Sequence, residues 1–220
     1  VLLGDSYAFG LHLPYEQTLS HRLGWRNGAV GGAGAADYLA QMEAHLGTWR
    51  PDTVVVLLSF DDALRSLSKD LYRLDPDGGT LVPSQRWKKS GFRMFMESLP
   101  GYHALQAHSY WLNGFIRFAW PRLYFEELTS PPGFGDTRYV TRLHHAMFRQ
   151  MDALCRSTGC EFFLAHNGYT AVQTQDPHQL EMIASLPSLD SLLSHPVNDC
   201  APRLLQAQQA GVPLELPNDD

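Results

Sequence analysis

The sequence feature that most constrains the fold is the run Thr53–Leu58, in which one threonine is followed by three valines and two leucines. A continuous apolar run of this length, largely β-branched, predicts a central strand of a parallel sheet that is buried on both faces. Shorter apolar segments predict four more strands, at residues 1–4, 26–30, 161–165 and 212–216.

Helical patterns lie between these strands, at residues 13–23, 35–46, 62–67, 139–157 and 202–209. Regular alternation of strands and helices predicts a parallel sheet with helices on both faces. A chain of 220 residues suits one such domain. We therefore predict an α/β fold, a three-layer α/β/α sandwich of the flavodoxin-like type with a five-stranded parallel sheet.

Two stretches interrupt this alternation. Residues 68–138 predict a long insertion after the third strand, with a hairpin over residues 71–82 and an aromatic helix over residues 103–120. We interpret the insertion as packed against the body of the domain, and a lid that lines the substrate site is the alternative. Residues 167–198 predict a second excursion of loop and helix.

Composition narrows the classes of function. The net charge of −6 argues against nucleic acid or an anionic membrane surface as a partner. No segment approaches the ~18 apolar residues of a transmembrane helix. The three cysteines lack metal-ligand spacing, and we interpret them as buried thiols rather than metal ligands. We interpret both ends of the chain as truncated, so the sequence does not decide the compartment, with the cytoplasm slightly favoured. The sequence does not decide the oligomeric state either.

The first predicted strand ends at the tripeptide Gly4-Asp5-Ser6, which puts the serine at the carboxyl edge of the sheet, where open α/β sheets bind ligands. The sequence continues Tyr-Ala-Phe-Gly, and Pro-Tyr-Glu-Gln-Thr follows at residues 14–18. This wording resembles the first sequence block of the SGNH (GDSL) hydrolase family. The resemblance implies that Ser6 is the nucleophile of an esterase. A capped turn without a catalytic role is the alternative.

The second block of the family supplies an oxyanion donor from the backbone of a glycine after the second strand. The resemblance implies Gly32 for that role, together with the N–H of Ser6. A plain glycine-rich turn is one alternative. A dinucleotide fingerprint is another, but Asp37 stands where that motif requires glycine or alanine.

The third block reads Gly-x-Asn-Asp in the family and Ser59-Phe60-Asp61-Asp62 in this chain. Asp61 therefore occupies the place of the asparagine that supplies the third oxyanion donor, and the final aspartate is kept. An ionised Asp61 would repel the oxyanion at a cost of order 4 kcal/mol at an effective dielectric constant near 20. A neutral Asp61 would instead donate a hydrogen bond.

The fourth block holds an aspartate and a histidine two or three residues apart, after the last strand. The resemblance implies Asp219 as the triad carboxylate, with Asp220 as the alternative and the histidine just past Asp220. A solvated acidic tail would look the same. His166 follows the fourth predicted strand at the same edge of the sheet, a place that the family does not use.

Together these blocks imply a serine esterase that works through an acyl-serine intermediate and requires neither a cofactor nor a metal. Ser6, a histidine and Asp219 would form the triad, and Ser6, Gly32 and Asp61 the oxyanion hole. The substrate would be an acyl or acetyl ester of a lipid, a glycan or a small molecule. The second hypothesis is a catalytically impaired domain of the same fold that binds a carbohydrate or a protein partner, which Asp61 favours.

Overall fold

The computed structural model describes residues 1–59, 62–75, 79–84, 87–89, 91–102, 125–127, 136–167, 180 and 183–210. The chain forms two compact units, one made of residues 1–82 and 133–220 and the other of residues 83–132. The second unit lies within the stretch for which the sequence predicts an insertion.

The described elements of the first half are β1 Leu2–Gly4, α1 Ser6–Phe9, a 3-10 turn Tyr15–Gln17, α2 Leu19–Arg22, α3 Ala35–Trp49, β2 Thr53–Leu58, α4 Asp62–Lys69, β3 Tyr72–Leu74, β4 Leu81–Pro83, β5 Trp87–Lys89 and α5 Gly91–Ser98. They are followed by β6 Phe125–Glu127, α6 Thr137–Thr158, β7 Glu161–His166, a 3-10 turn Leu186–Leu189, β8 Asn198–Asp199 and α7 Ala201–Gln209. About half of the described residues are helical, so the protein is mixed α/β, as predicted.

A parallel sheet of four strands forms the centre of the first unit, in the order β1-β2-β7-β8. Leu3 pairs with Val56, and Val56 pairs with Leu164 on its other side. The predicted second strand is reduced to a single parallel bridge between Leu2 and Asn27 on the outer side of β1. The predicted fifth strand, residues 212–216, lies outside the described residues.

Two local predictions differ from the structure. The helix predicted over residues 13–23 is divided at Thr18, whose backbone is extended and whose hydroxyl accepts a hydrogen bond from the His21 N–H at the start of α2. The strand β8 was not predicted at all, because a two-residue strand leaves no periodic pattern in the sequence. The paired strands β3 and β4 coincide with the predicted hairpin.

The main apolar core lies on one face of the sheet. Val54, Val56 and Leu58 of β2 face it and are buried, and the helices α3 and α6 pack over it. A smaller cluster on the opposite face contains Leu2, Ala8 and Ala29, with the half-buried Val55 and Leu57 of β2 packed against it. The strand β2 is therefore fully buried on one face and half-buried on the other, rather than fully buried on both.

The second unit is described only in part. Its strands β5 and β6 pair antiparallel, and α5 precedes the residues for which the aromatic helix 103–120 is predicted. Those residues lie outside the described part. In the parts of the chain that the structure describes, every helix is too short or too polar to cross a membrane.

Candidate functional site

The serine turn, residues 4–10, connects β1 to α1. Asp5 precedes the first residue of α1, and its Oδ1 accepts a hydrogen bond from the Tyr7 N–H at 2.9 Å. Gly4 permits a close approach, because a Cβ at this position would lie only 2.4 Å from the Cβ of Ala8. The turn therefore requires glycine before the aspartate, and it places Ser6, partly buried, directly after the carboxyl end of β1.

The glycine turn, residues 30–34, runs beside the serine turn and begins with a hydrogen bond of 3.0 Å from its first N–H to the Gly4 carbonyl. A Cβ on Gly31 would lie 4.0 Å from the Cβ of Ser6. Gly32 has a φ of +73°, which favours glycine, and a Cβ there would meet no atom within 4 Å. Within the described residues, no acceptor receives the N–H of Ser6 or of Gly32.

A network of buried carboxylates lies under the serine turn. Asp5, Ser59 and Asp62 are all less than 5% exposed. The Oδ2 of Asp5 accepts hydrogen bonds of 2.7 Å from the Ser59 hydroxyl and from Nη1 of Arg65. The Oδ2 of Asp62 accepts from the Ser59 N–H at 3.0 Å and from the Tyr38 hydroxyl at 3.1 Å. Ser59 thus connects two carboxyl groups that would otherwise repel each other.

The protonation of Asp62 decides how this network is satisfied. The pKa of Asp62 is raised to about 7, chiefly because the group is buried; the Ser59 N–H opposes the shift and the charge of Asp5 adds to it. Ser59 has one hydroxyl proton and lies nearer to Asp5, at 2.7 Å, than to Asp62 Oδ1, at 3.2 Å. A protonated Asp62 can donate across that second contact, which gives a continuous chain of hydrogen bonds from Asp62 to Asp5.

His166 is the last residue of β7 and lies opposite Leu58 in the register. Its Nε2 is 3.5 Å from Oδ1 of Asp199, on the short strand that the sequence did not predict. Burial lowers the pKa of His166, and the carboxylate of Asp199 opposes that shift. Its Nδ1 is buried and has no hydrogen-bond partner among the described residues. The pair is at the correct edge of the sheet, but no hydrogen bond joins it to Ser6 in the described part of the chain.

The adjacent histidines of α6, His144 and His145, point apart. His144 is fully buried and donates its Nδ1–H to the Val140 carbonyl at 2.8 Å. His145 is half-buried and lies 3.2 Å from the Ser185 hydroxyl. Burial lowers the pKa of His144 to about 4, so it is neutral at physiological pH. Neither histidine has a bond to the serine turn.

Of the residues predicted for the site, Ser6 and Gly32 are described, and the glycine that lies next to Ser6 is Gly31, the neighbour of the predicted Gly32. Asp61 and Asp219 lie outside the described residues, and so does the alternative Asp220. In the described part of the chain, His, Cys, Asp and Glu side chains form no group that could hold a metal ion.

Sequence reasoning missed the residues beneath the serine turn. Asp5 was part of the recognised tripeptide but had no assigned role, and Arg65 was not singled out. Asp5 and Ser59 are 54 positions apart, and Asp5 and Arg65 are 60 apart, so no local pattern links them. The one available signal was a polar residue, Ser59, at the end of a buried strand that leads to the same edge as Ser6.

The fold and the described site define an α/β protein in which a serine turn and a glycine turn lie side by side at the carboxyl edge of a parallel sheet. Protein-family models give no match to the chain, and a search of curated proteins also finds none.

Proposed function

We propose that this chain is a serine esterase of the SGNH type that hydrolyses carboxylic esters through an acyl-serine intermediate. The observation that supports this most directly is the nearness of Gly31 to Ser6, since a Cβ on Gly31 would lie 4.0 Å from the Ser6 Cβ, followed by Gly32 beside open space. That juxtaposition presents the Ser6 hydroxyl and the N–H groups of Ser6 and Gly32, which have no acceptor among the described residues, at one edge of the sheet. An ester carbonyl needs both a nucleophile and donors for its developing negative charge.

The finer architecture that we propose with this function is a three-layer α/β/α sandwich. Apolar clusters on both faces of the sheet support it, since a sheet that is covered on both faces requires a layer of helices on each. Hydrogen bonds that join residues 26–28 to Leu2 on the outer side of β1 support a fifth strand position there.

In the proposed reaction, the Ser6 hydroxyl attacks the ester carbonyl carbon while a histidine accepts its proton. The new bond joins Ser6 Oγ to the carbonyl carbon, and the negative charge on the carbonyl oxygen is held by the N–H groups of Ser6 and Gly32. Collapse of this intermediate breaks the bond to the alcohol, which receives the proton from the histidine. Water then hydrolyses the acyl-serine by the same route.

The base is assigned by the resemblance to a histidine that follows Asp220, with Asp219 as its carboxylate. In this proposal Asp61 completes the oxyanion hole as a neutral donor. His166 with Asp199 is the other arrangement at the same edge, and its Nδ1 lacks a partner among the described residues. A single variant, His166→Ala, distinguishes the two assignments.

The test uses the protein with its native termini, a fluorophosphonate probe and a short p-nitrophenyl ester. Wild type should be labelled once, and Ser6→Ala should lose both labelling and turnover. Ser191→Ala, which changes an exposed serine, serves as the control and should keep both. Labelling that persists in Ser6→Ala would overturn the nucleophile assignment.

The base is identified by the same assay. His166→Ala should leave turnover within a few-fold of wild type if the histidine after Asp220 is the base. A loss of ~10³-fold or more, with a folded protein, would assign the role to His166. His195→Ala, which removes a half-exposed histidine near Glu161 at the opposite end of β7, is the matched control.

The second candidate function is a non-catalytic domain that binds a carbohydrate. It is favoured by the Ser6 hydroxyl, which bonds no group within the described residues, and by the exposed Tyr7 next to it, 58% accessible. A folded wild-type protein that the fluorophosphonate does not label would support this alternative.

A further inference from the structure

One face of α4 is polar and contacts both turns of the candidate site. Its members are Asp62, Arg65, Ser66 and Lys69, which recur at the three- and four-residue spacing that puts side chains on one side of a helix. The hydroxyl of Ser66 accepts a hydrogen bond from the Ala36 N–H at 3.2 Å and donates to the Asp62 carbonyl at 2.7 Å. The bond from Ala36 holds α4 against the beginning of α3, and the bond to Asp62 fixes the Ser66 hydroxyl on α4.

The approach of α4 to the glycine turn is close enough to exclude any side chain at Gly34. A Cβ there would lie 2.7 Å from the Asp62 carbonyl oxygen and 2.9 Å from the Ser66 hydroxyl. A helix backbone in this position cannot move relative to the turn without breaking these contacts. The side chains of Arg65 and Lys69, on the same face of α4, therefore extend from a helix backbone whose position is fixed.

Arg65 connects α4 to the serine turn. Its Nη1 lies 2.7 Å from Asp5 Oδ2 and 3.5 Å from the carbonyl oxygen of Ala33 in the glycine turn. The other oxygen of Asp5 receives the Tyr7 N–H and so fixes the first turn of α1. One guanidinium nitrogen thus touches both turns, and its bond to a buried carboxylate is of the short, charge-assisted kind.

Lys69 connects α4 to the glycine turn. Its Nζ donates to the Gly32 carbonyl at 2.9 Å and to Asp37 Oδ2 at 2.7 Å. The same Asp37 oxygen accepts the Gly34 N–H at 2.8 Å, where α3 begins. Gly32 lacks a side chain that could restrict its backbone, so the bond to its carbonyl limits the orientations of the peptide groups on either side.

We propose that Arg65 and Lys69 are positioning residues that hold the serine turn and the glycine turn in register, so that the N–H groups of Ser6 and Gly32 converge on one oxyanion. The inference rests on the proposed esterase function and adds a role for α4 to it. Neither cation contacts the reacting atoms. Each acts through a backbone or carboxylate group that borders them.

An exposed ion pair contributes little to stability, and the Lys69 side chain is 39% exposed, which makes a rate effect separable from a folding effect. Lys69→Ala should lower kcat by ~10- to 100-fold, because small misplacements of a catalytic donor have effects of that size, while KM changes less than threefold. Lys69→Arg, which keeps a cationic donor, should restore most of the rate. Arg65→Ala should also lower kcat, and Arg65→Lys should recover it in part.

The matched control is Arg156→Ala. Arg156 pairs with Asp152, a carboxylate as buried as Asp5, but on α6 and away from both turns. Its removal should leave kcat within twofold of wild type at a similar thermal midpoint. If Arg156→Ala lowers kcat as much as Lys69→Ala does, the effect is one of general stability and the positioning role is wrong.

A second measurement does not depend on catalysis. Amide hydrogen exchange of the native-length protein should become at least tenfold faster in Lys69→Ala at Ala33 and Gly34, whose N–H groups donate to the Val30 carbonyl and to Asp37 Oδ2, and stay unchanged there in Arg156→Ala. Unchanged exchange in Lys69→Ala would overturn the positioning role whether or not the protein is an esterase. Faster exchange in a protein whose wild type has no esterase activity would reject the proposed function and keep the structural role of Lys69.

Discussion

The buried network predicts that Asp62→Asn becomes more stabilising as the pH rises. Asparagine has the shape of a protonated Asp62. Its oxygen can accept the Ser59 N–H and the Tyr38 hydroxyl, and its amide can donate to the Ser59 hydroxyl across the 3.2 Å contact. The variant therefore keeps the network but cannot ionise beside the carboxylate of Asp5.

The size of the effect follows from the pKa of Asp62, about 7 in the folded protein against an ordinary 3.8. A raised pKa means that the folded state holds the proton more tightly than the unfolded state. The contribution of Asp62 to the unfolding free energy is therefore fully present below its ordinary pKa, and it is lost as the pH rises through the pKa of the folded state. Integrated from about pH 5 to about pH 8, the wild type loses about 2.5 kcal/mol of unfolding free energy that Asp62→Asn keeps.

Urea unfolding of both proteins at these two pH values tests the prediction, since other titrating groups cancel in the difference. Asp62→Ala is the control. It also cannot ionise, but the Ser59 N–H and the Tyr38 hydroxyl lose their acceptor, so it should be less stable than Asp62→Asn by ~1–3 kcal/mol at both pH values. A difference between wild type and Asp62→Asn that does not change with pH would show that Asp62 does not titrate in this range.

Two further predictions concern other buried positions. Gly34→Ala should destabilise the protein by ~1–3 kcal/mol, because its Cβ would overlap the Asp62 carbonyl. Gly47→Ala in α3, where open space surrounds the Cβ, should stabilise the protein by ~0.5–1 kcal/mol. Thermal unfolding compares the two variants. His144→Phe should resist acid better than wild type, because a pKa lowered from 6.5 to about 4 costs the wild type about 2 kcal/mol between about pH 7.5 and about pH 5, measurable by urea unfolding.

The elements that the sequence predicted well are those with long apolar patterns. The structure has β2 at the predicted residues, and it has α3 and α6 within three residues of the predicted ends. In each of these, the pattern and the buried face coincide because the element packs directly on the core. The helix predicted over residues 13–23 had no such face, and the local preference of Thr18 for a helix cap decided its division instead.

In the candidate site, too, the sequence could predict some contacts and not others. The nearness of Ser6 and the glycine turn could be predicted, because neighbouring parallel segments end at one edge of a sheet. The contacts of Asp5 with Ser59 and Arg65 could not, because they depend on how far α4 lies from β1 after the whole sheet has formed. A resemblance to sequence blocks names the residues within the blocks, whereas Arg65 and Lys69 follow the third block and carry no motif of their own.

The two shifted groups near α4 also explain why a pH profile of the wild type alone would be uninformative. The contribution of Asp62 to the stability of the protein is lost as the pH rises between about 4 and 7, and the contribution of His144 is lost as the pH falls between about 6.5 and 4. Each slope approaches ~1.4 kcal/mol per pH unit in its own range, so over their shared range the two cancel. Relative to the wild type, Asp62→Asn alone should therefore lose stability as the pH falls, His144→Phe alone should lose it as the pH rises, and the double variant should have the same slope as the wild type. A wild-type slope equal to that of either single variant would mean that one of the two pKa values is not shifted.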